Sequence, residues 1–267
     1  MKKLLLLCVP LIFSCGENVE KNEDELTMSQ EVKTDLEKEG LNGNIKSIRT
    51  DEEYTIFNTQ GNKTKVFSIN HTGEESLKYM YEYNDQIKTG VKHYKSNGDI
   101  DWIGVYTYNT DGQLIETTEE SPNKDGHQFK QKYKYKYDKI GNLIEKTRES
   151  TQGLILGKEE YIYKDQKLIE ENIYGPGPQT RLKERRKISY NSEGKKDQIF
   201  MLFPPVFQDQ DTATFTLSYS YLDGKIKEES NNMLDNIIIY EYDNQDNVIK
   251  KIWKDYDFSE NIIYEYY

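Results

Sequence analysis

Tyr135-Lys136-Tyr137-Asp138-Lys139-Ile140-Gly141-Asn142-Leu143-Ile144-Glu145 is the stretch that decides the fold of this chain. Tyrosines two positions apart lie on one face of an extended strand, because side chains alternate across it. Asp138 at the first turn position and Gly141 at the fourth suit a type I turn that ends in a left-handed glycine and a bulge. The chain should then return with Leu143 opposite Tyr137, an aromatic–aliphatic pair worth about 0.2–1 kcal/mol.

The same pattern recurs along the sequence. Tyr106-Thr107-Tyr108-Asn109-Thr110-Asp111-Gly112-Gln113-Leu114-Ile115-Glu116 matches it position for position, Tyr161 and Tyr163 lead to Leu168, and Tyr240 and Tyr242 lead to Val248. Weaker copies centre on Tyr83, Tyr190 and Tyr221, the last with Asp223-Gly224 as a two-residue turn that sets Tyr221 opposite Ile226, and Tyr264-Glu265-Tyr266 is an incomplete copy. The second tyrosines stand at 83, 108, 137, 163, 190, 221, 242 and 266, at intervals of 21 to 31 residues. A hairpin plus its connection has that length, so the chain from residue 41 to 267 is expected to be an all-β array. Its repeated antiparallel β-hairpins would form one continuous coiled meander sheet. These units resemble the YD repeats of Rhs-type proteins, tyrosine-x-tyrosine-aspartate followed by a turn glycine. That resemblance implies sheets built from successive hairpins. Large members wrap such sheets into shells around a toxin and carry an aspartate-proline cleavage motif. This chain has no Asp-Pro pair and no toxin region, so only the hairpin architecture carries over.

The first residues speak to location. Lys2 and Lys3 precede the apolar run Leu4 to Phe13, which is too short to span a bilayer but suits a signal peptide. Ile12-Phe13-Ser14-Cys15 resembles the bacterial lipobox, which implies lipid on Cys15 after removal of residues 1–14. The only other cysteine is Cys8, inside the discarded segment, so no disulfide is available to the mature chain. Residues 15–40 read as a lipidated, acidic tether: from 16 onward they hold nine acidic and three basic side chains, with a frayed helical turn near Val32 to Lys38. The acidic stretch Glu20 to Glu25 resembles signals that send lipoproteins to the cell surface, and a plain linker would look the same. The expected location is therefore the bacterial envelope, at the outer membrane.

Composition narrows function. A net charge of −11, falling to −13 without Lys2 and Lys3, repels phosphate backbones and sets nucleic acid aside. His71, His93 and His127 lie in separate repeats without ligand spacing, so neither metal nor cofactor is expected. No nucleophile elbow, P-loop or dinucleotide fingerprint occurs, which argues against an enzyme. Gly175-Pro176-Gly177-Pro178 and Phe203-Pro204-Pro205-Val206-Phe207 read as protruding loops. The basic run Arg181 to Lys187 reads as a solvated strand face or a grip on an acidic partner.

The expected partners are the membrane, through the lipid, and a glycan or an envelope protein presented to the repeat surface. A structural or assembly role without soluble ligand is the alternative. Most tyrosines should fill the core face. Ile144, Ile115, Ile169 and Ile249 should form an apolar row on the opposite face, either covered by coiling of the sheet or exposed as a partner stripe. Strict alternation from Ile249 puts Trp253 on that side too, as a candidate ligand-binding residue. Replacing Cys15 by serine is expected to leave the protein unlipidated and released from membranes, because no second membrane-binding signal occurs. Complete retention of that variant in the outer-membrane fraction would sink the lipobox reading.

Overall fold

The computed structural model describes residues 33–122, 130–177, 181–205 and 211–267, so the proposed leader and Cys15 lie outside the described residues. A single helical turn, α1 (Asp35–Lys38), comes first. Then follow β1 (Ile45–Arg49), β2 (Glu53–Phe57), β3 (Lys63–Ile69), β4 (Glu75–Asn84), β5 (Ile87–Tyr94), β6 (Ile100–Tyr108) and β7 (Leu114–Glu120). The middle of the chain forms β8 (Lys130–Tyr137), β9 (Leu143–Ser150), β10 (Ile155–Lys164), β11 (Lys167–Tyr174), β12 (Leu182–Tyr190) and β13 (Lys196–Phe203). The last strands are β14 (Ala213–Leu222), β15 (Lys225–Asn231), β16 (Asn236–Tyr242), β17 (Val248–Trp253), β18 (Phe258–Asn261) and β19 (Ile263–Tyr266). Each pairs antiparallel with its sequence neighbour up to β18, and β1 pairs with both β2 and β19. The sheet is thus nearly closed into a barrel. β18 and β19 behave as one strand interrupted at Ile262, whose N–H bonds the Ile249 carbonyl at 2.8 Å.

The turns explain the aspartate or asparagine that follows several of the tyrosine pairs. The Asp138 N–H bonds the Asn142 carbonyl at 2.9 Å and the Gly141 N–H returns to the Asp138 carbonyl at 3.2 Å. The Asp138 carboxylate also accepts from the amides of Ile140 and Asn142 at 3.0 and 2.8 Å. Asn58, Asn109, Asn191 and Asp243 hold their own turns by the same two bonds. An aspartate or asparagine is needed because only a short side-chain acceptor reaches amides two and four residues on. Gly141 has φ +90°, and Asp223 and Gly224 have φ +50° and +84°, the two-residue turn expected there.

Leu143 faces Tyr137, while Glu145 faces Lys136, so Ile144 is an extra residue in its strand. Ile115, Ile169 and Ile249 are extra in the same way. All four isoleucines of the expected row are therefore bulge residues on the face away from the tyrosines. Ile115 and Ile144 are each 37% exposed, and Ile169 and Ile249 are half-buried. The bulge also corrects Trp253. It shifts the alternation by one residue, so Trp253 faces Ile238, which shares the face of Tyr240 and Tyr242.

The tyrosine face is the concave one. The buried apolar side chains Ile45, Phe57, Val66, Val91, Met201 and Leu217 all lie on it, whereas Val105, Ile162 and Ile263 on the other face are exposed. Residues 34–40, read from sequence as the end of the tether, belong to the fold. Thr34 and Glu37 close a capping box at the start of α1, and Leu36 packs on Ile45 and Phe57. The basic run is strand β12, where Arg185 and Arg186 pair with Glu170 and Glu171.

The second tyrosine of most units has a further task. The ladder between β7 and β8 stops at Glu116 and Lys134, and beyond it the Tyr137 hydroxyl donates to the Leu114 carbonyl at 2.9 Å. Tyr83, Tyr190, Tyr221 and Tyr242 do likewise to Lys63, Leu168, Lys196 and Ile226, at 2.7–2.8 Å. Tyr264 takes this place in the last unit, on Val248 at 3.0 Å. Each acceptor sits opposite the corresponding aromatic residue of the preceding hairpin, so every latch ties one hairpin to the one before. Gly141→Val is expected to cost about 1–2 kcal/mol, because a β-branched residue resists left-handed φ, and to lower Tm by roughly 3–6 °C. An unchanged Tm would count against the turn as described.

Candidate functional site

Three places on the concave face concentrate polar and aromatic side chains. The first is the seam where the sheet closes. The Asp35 carboxylate is almost fully buried and collects the Tyr83 hydroxyl at 2.7 Å, the Lys63 amide at 3.0 Å and the Lys88 ammonium at 3.2 Å. Burial pushes this carboxyl up, but Lys88, Tyr83 and Lys63 together outweigh it and hold it below the ordinary carboxylate value. Burial pulls the Lys88 ammonium down, since it has one main counter-charge to set against desolvation. Two asparagines in equivalent turn positions grip the incoming chain. Asn247 takes both the amide and the carbonyl of Asn42, at 2.8 and 2.9 Å, and Asn62 accepts from the Asp35 amide at 3.3 Å. Tyr266 completes the clasp on Asp243 at 2.8 Å. All of these contacts but Tyr266–Asp243 join residues 34–44 to the sheet, so the seam closes it.

The second place is the rim of tyrosine turns, where the hydroxyls are occupied by the latches. Lysines lie over several of these rings: Lys88 over Tyr83, Lys167 over Tyr190, Lys195 over Tyr221 and Lys225 over Tyr242, at 5.1–5.7 Å from the centroids.

The third place is the opposite half of the concave face, where the rings are not latched. Tyr79, His93 and Trp102 stand directly opposite one another on β4, β5 and β6. Their centroids are 4.9 Å apart for Tyr79–His93 and 5.2 Å for His93–Trp102, the latter pair inclined by 19°. Asp101 Oδ2 lies 3.1 Å from His93 Nδ1. Gly104, next but one along β6, is buried and closely packed. A Cβ at Gly104 would come within 2.7 Å of Val91 Cγ1, 3.4 Å of Trp102 Cζ3 and 3.9 Å of Glu119 Cγ. Val91, Trp102 and Glu119 thus close over Gly104. Across β7, the buried Gln131 donates both of its amide hydrogens, to Glu119 Oε2 and to the Tyr133 hydroxyl at 2.9 Å. Burial, then the Glu119 charge, pushes the Tyr133 phenol up.

Smaller aromatic nests occupy the same half of the face. Phe203 stacks on Phe215 at 5.4 Å, and Trp253, the candidate from sequence, meets Phe258 at 5.0 Å. Sequence reasoning missed Tyr79, His93, Trp102, Glu119 and Gln131. Tyr79 continues the alternation of Tyr81 and Tyr83, and His93 and Trp102 flank the turn at residues 95–99, so their cross-strand pairing had a signal. The bulge at Asp101, between the partners of His93 and Tyr94, obscured it. His71 lies in an exposed turn, and among the described residues no group of three or more His, Cys, Asp or Glu side chains is placed to hold a metal ion.

No family model and no curated protein matches this chain. Among solved structures it is similar to a porin-like protein from Bacteroides uniformis, at 12% identity and a TM-score of 0.46, over 83% of this chain and 98% of that one. It is also similar to TcdB2-TccC3 without its hypervariable C-terminal region, at 10% identity and a TM-score of 0.28, over 81% of this chain and 16% of that one. The Photorhabdus luminescens Tc holotoxin pore gives 10% identity and a TM-score of 0.16, over 76% of this chain and 15% of that one. At these scores the likeness carries nothing about function.

Because the Asp35 carboxyl is depressed in the folded state, its stabilisation is present above the ordinary carboxylate value of about 3.9 and is lost as pH falls through the lower folded value. Asp35→Asn, which strands Lys88, is expected to cost roughly 3 kcal/mol at neutral pH and much less in acid. Thermal melts of both proteins between pH 7 and pH 2 check this, and a difference that does not shrink toward pH 2 contradicts it.

Proposed function

We propose that this chain is a non-enzymatic envelope lipoprotein that binds a glycan on the concave face of its hairpin array. The observation that carries the reading is the row of Tyr79, His93 and Trp102 rings on the concave face, with the hydrogen-bonded Glu119 and Gln131 on the strands that follow. An apolar ring face next to a few placed polar groups is the usual composition of a small-molecule site, and sugars present both a C–H face and hydroxyls. The other acids of the concave face have structural work. Glu159 pairs with Lys146, Glu171 with Arg186, and Glu229 accepts from Tyr240, which supports binding over catalysis.

Membrane attachment in this reading is by lipid on Cys15 and not by the barrel wall. The convex face carries the ion pairs Lys132–Glu116, Lys136–Glu145, Lys158–Glu145 and Lys92–Glu82 where a bilayer-spanning barrel needs an apolar band. No helix among the described residues is long and apolar enough to cross a membrane. The half-exposed Ile115 and Ile144 on the convex face favour one second reading, a structural component that docks an envelope protein there.

A glycan array probed with the mature protein tests the choice. Trp102→Ala should lose at least about tenfold in affinity for any glycan bound, since a ring stacked on a sugar contributes well over 1 kcal/mol. Undiminished binding by that variant would move the site elsewhere. No glycan bound at all, with one stable protein partner lost on Ile144→Glu, would favour the second reading.

A further inference from the structure

We propose that the outer edge of β18 is a docking site for an extended basic peptide, which adds to the sheet as one more antiparallel strand. Among the described residues β18 pairs with β17 alone, whereas β17 pairs with strands on both sides. The strand that would cover the other side of β18 stops short. β1 follows β19 as far as Arg49, opposite Ile263, and then turns away. Thr50 makes that turn: its N–H donates to the Glu53 carbonyl at 2.8 Å, and its hydroxyl accepts from the amides of Glu52 and Glu53 at 3.2 and 3.1 Å. The four residues Phe258–Asn261 therefore run on past the end of β1. The bonds already made tell which of their backbone groups are free. The Ile262 amide donates to the Ile249 carbonyl at 2.8 Å, so by the alternation of an antiparallel ladder Glu260 and Phe258 also point their backbone groups at β17. The N–H and C=O groups of Ser259 and Asn261 then point the other way. An edge with such unpaired groups is a template for another strand.

Side chains and charge select the occupant. Phe258 lies on the concave face beside Trp253, yet it is 53% exposed, because no neighbouring strand covers it on the open side. A residue set opposite Phe258 shares that face and is best apolar. Its neighbours, opposite Ser259 and Asn261, fall on the convex face and carry the charge. The turns at both ends of this edge are acidic. Asp51 and Glu52 stand where β1 leaves, and Asp255 and Asp257 where β18 begins; all four are exposed and, among the described residues, in no ion pair. Glu53 and Glu260 have lysine partners already, Lys78 at 3.7 Å and Lys251 at 3.0 Å, and Arg49 is held by Glu75 at 2.6 Å. Lys254 is the one cation in the two turns. A second copy of this chain would bring the same acidic turns to the edge, and like charges set together in an interface are strongly unfavourable. A peptide with basic side chains meets them favourably.

The test uses the mature protein and a short capped peptide that alternates valine and lysine, with binding read by fluorescence anisotropy. The expected affinity is at least about tenfold higher than for the same peptide with glutamate in place of lysine. In an antiparallel pair that sets valine opposite Phe258, the lysine N–H groups face β18 and the valine N–H groups face away. N-methylation of the lysine amides should therefore weaken binding at least about tenfold, and N-methylation of the valine amides by less than about threefold. Ser259→Pro removes an outward N–H without touching the ladder to β17, and should also lose at least about tenfold, with its Tm checked against the parent. If that variant does not fold, the two methylated peptides carry the test on the parent protein. No binding of the valine–lysine peptide overturns the proposal. Equal binding of the two methylated forms overturns it too, because attraction to an acidic surface alone does not tell them apart. A dimer of the protein that Ser259→Pro dissolves, with no peptide bound, assigns the edge to a second copy and overturns it as well.

Discussion

The constraint on which the rest of this molecule depends is that a hairpin ladder fails at its ends. At each tyrosine turn the strands of neighbouring hairpins diverge, and carbonyls such as Leu114 and Leu168 lie past the last backbone pair. A carbonyl facing the interior without a partner costs free energy comparable to a lost hydrogen bond. The tyrosine two residues along from its twin is long enough to reach it while its ring stays on the concave face. One side chain thereby supplies an apolar surface, a hydrogen bond and a link to the previous hairpin. This explains why tyrosine, and not phenylalanine, recurs at that position.

The same economy explains how a chain with few fully buried apolar residues holds a closed sheet. Only Leu36, Ile45, Phe57, Val66, Val91, Met201 and Leu217 are buried apolar side chains among the described residues. Cohesion is spread over half-buried phenols, their latches and the turn asparagines. Closure falls to residues 34–44, which are tied from one side by Asn62 and from the other by Asn247, with Asp35 and Lys88 fixing the helix turn on the sheet. Short strands meet there. β1 shares four residue pairs with β19 and three with β2, against seven between β8 and β9, so side-chain bonds make up what the ladder lacks.

The two halves of the concave face differ in chemistry for a reason of position. Near the tyrosine turns, every hydroxyl that reaches a carbonyl is committed to structure. Toward the other end of the strands the ladders are complete, so aromatic side chains there have no backbone to satisfy and are left to pair with each other. Trp102, Phe215 and Trp253 fall in that half.

The sequence by itself determined the all-β class, the hairpin units, the turn types at Asp138 and Asp223, and the pairing of Tyr137 with Leu143 and Tyr221 with Ile226. These follow from local rules: alternation, and the backbone angles that glycine, asparagine and aspartate permit. The tertiary structure alone decided what depends on partners far apart in the chain. Nothing local announces that β1 meets β19, that Asp35 leaves the acidic segment to sit beside Lys88, or that Val91, Trp102 and Glu119 close over Gly104. The placement of Trp253 shows the boundary well. Alternation was the right rule, but one extra residue at Ile249 reversed its phase, and a bulge is visible only when the opposite strand is in place.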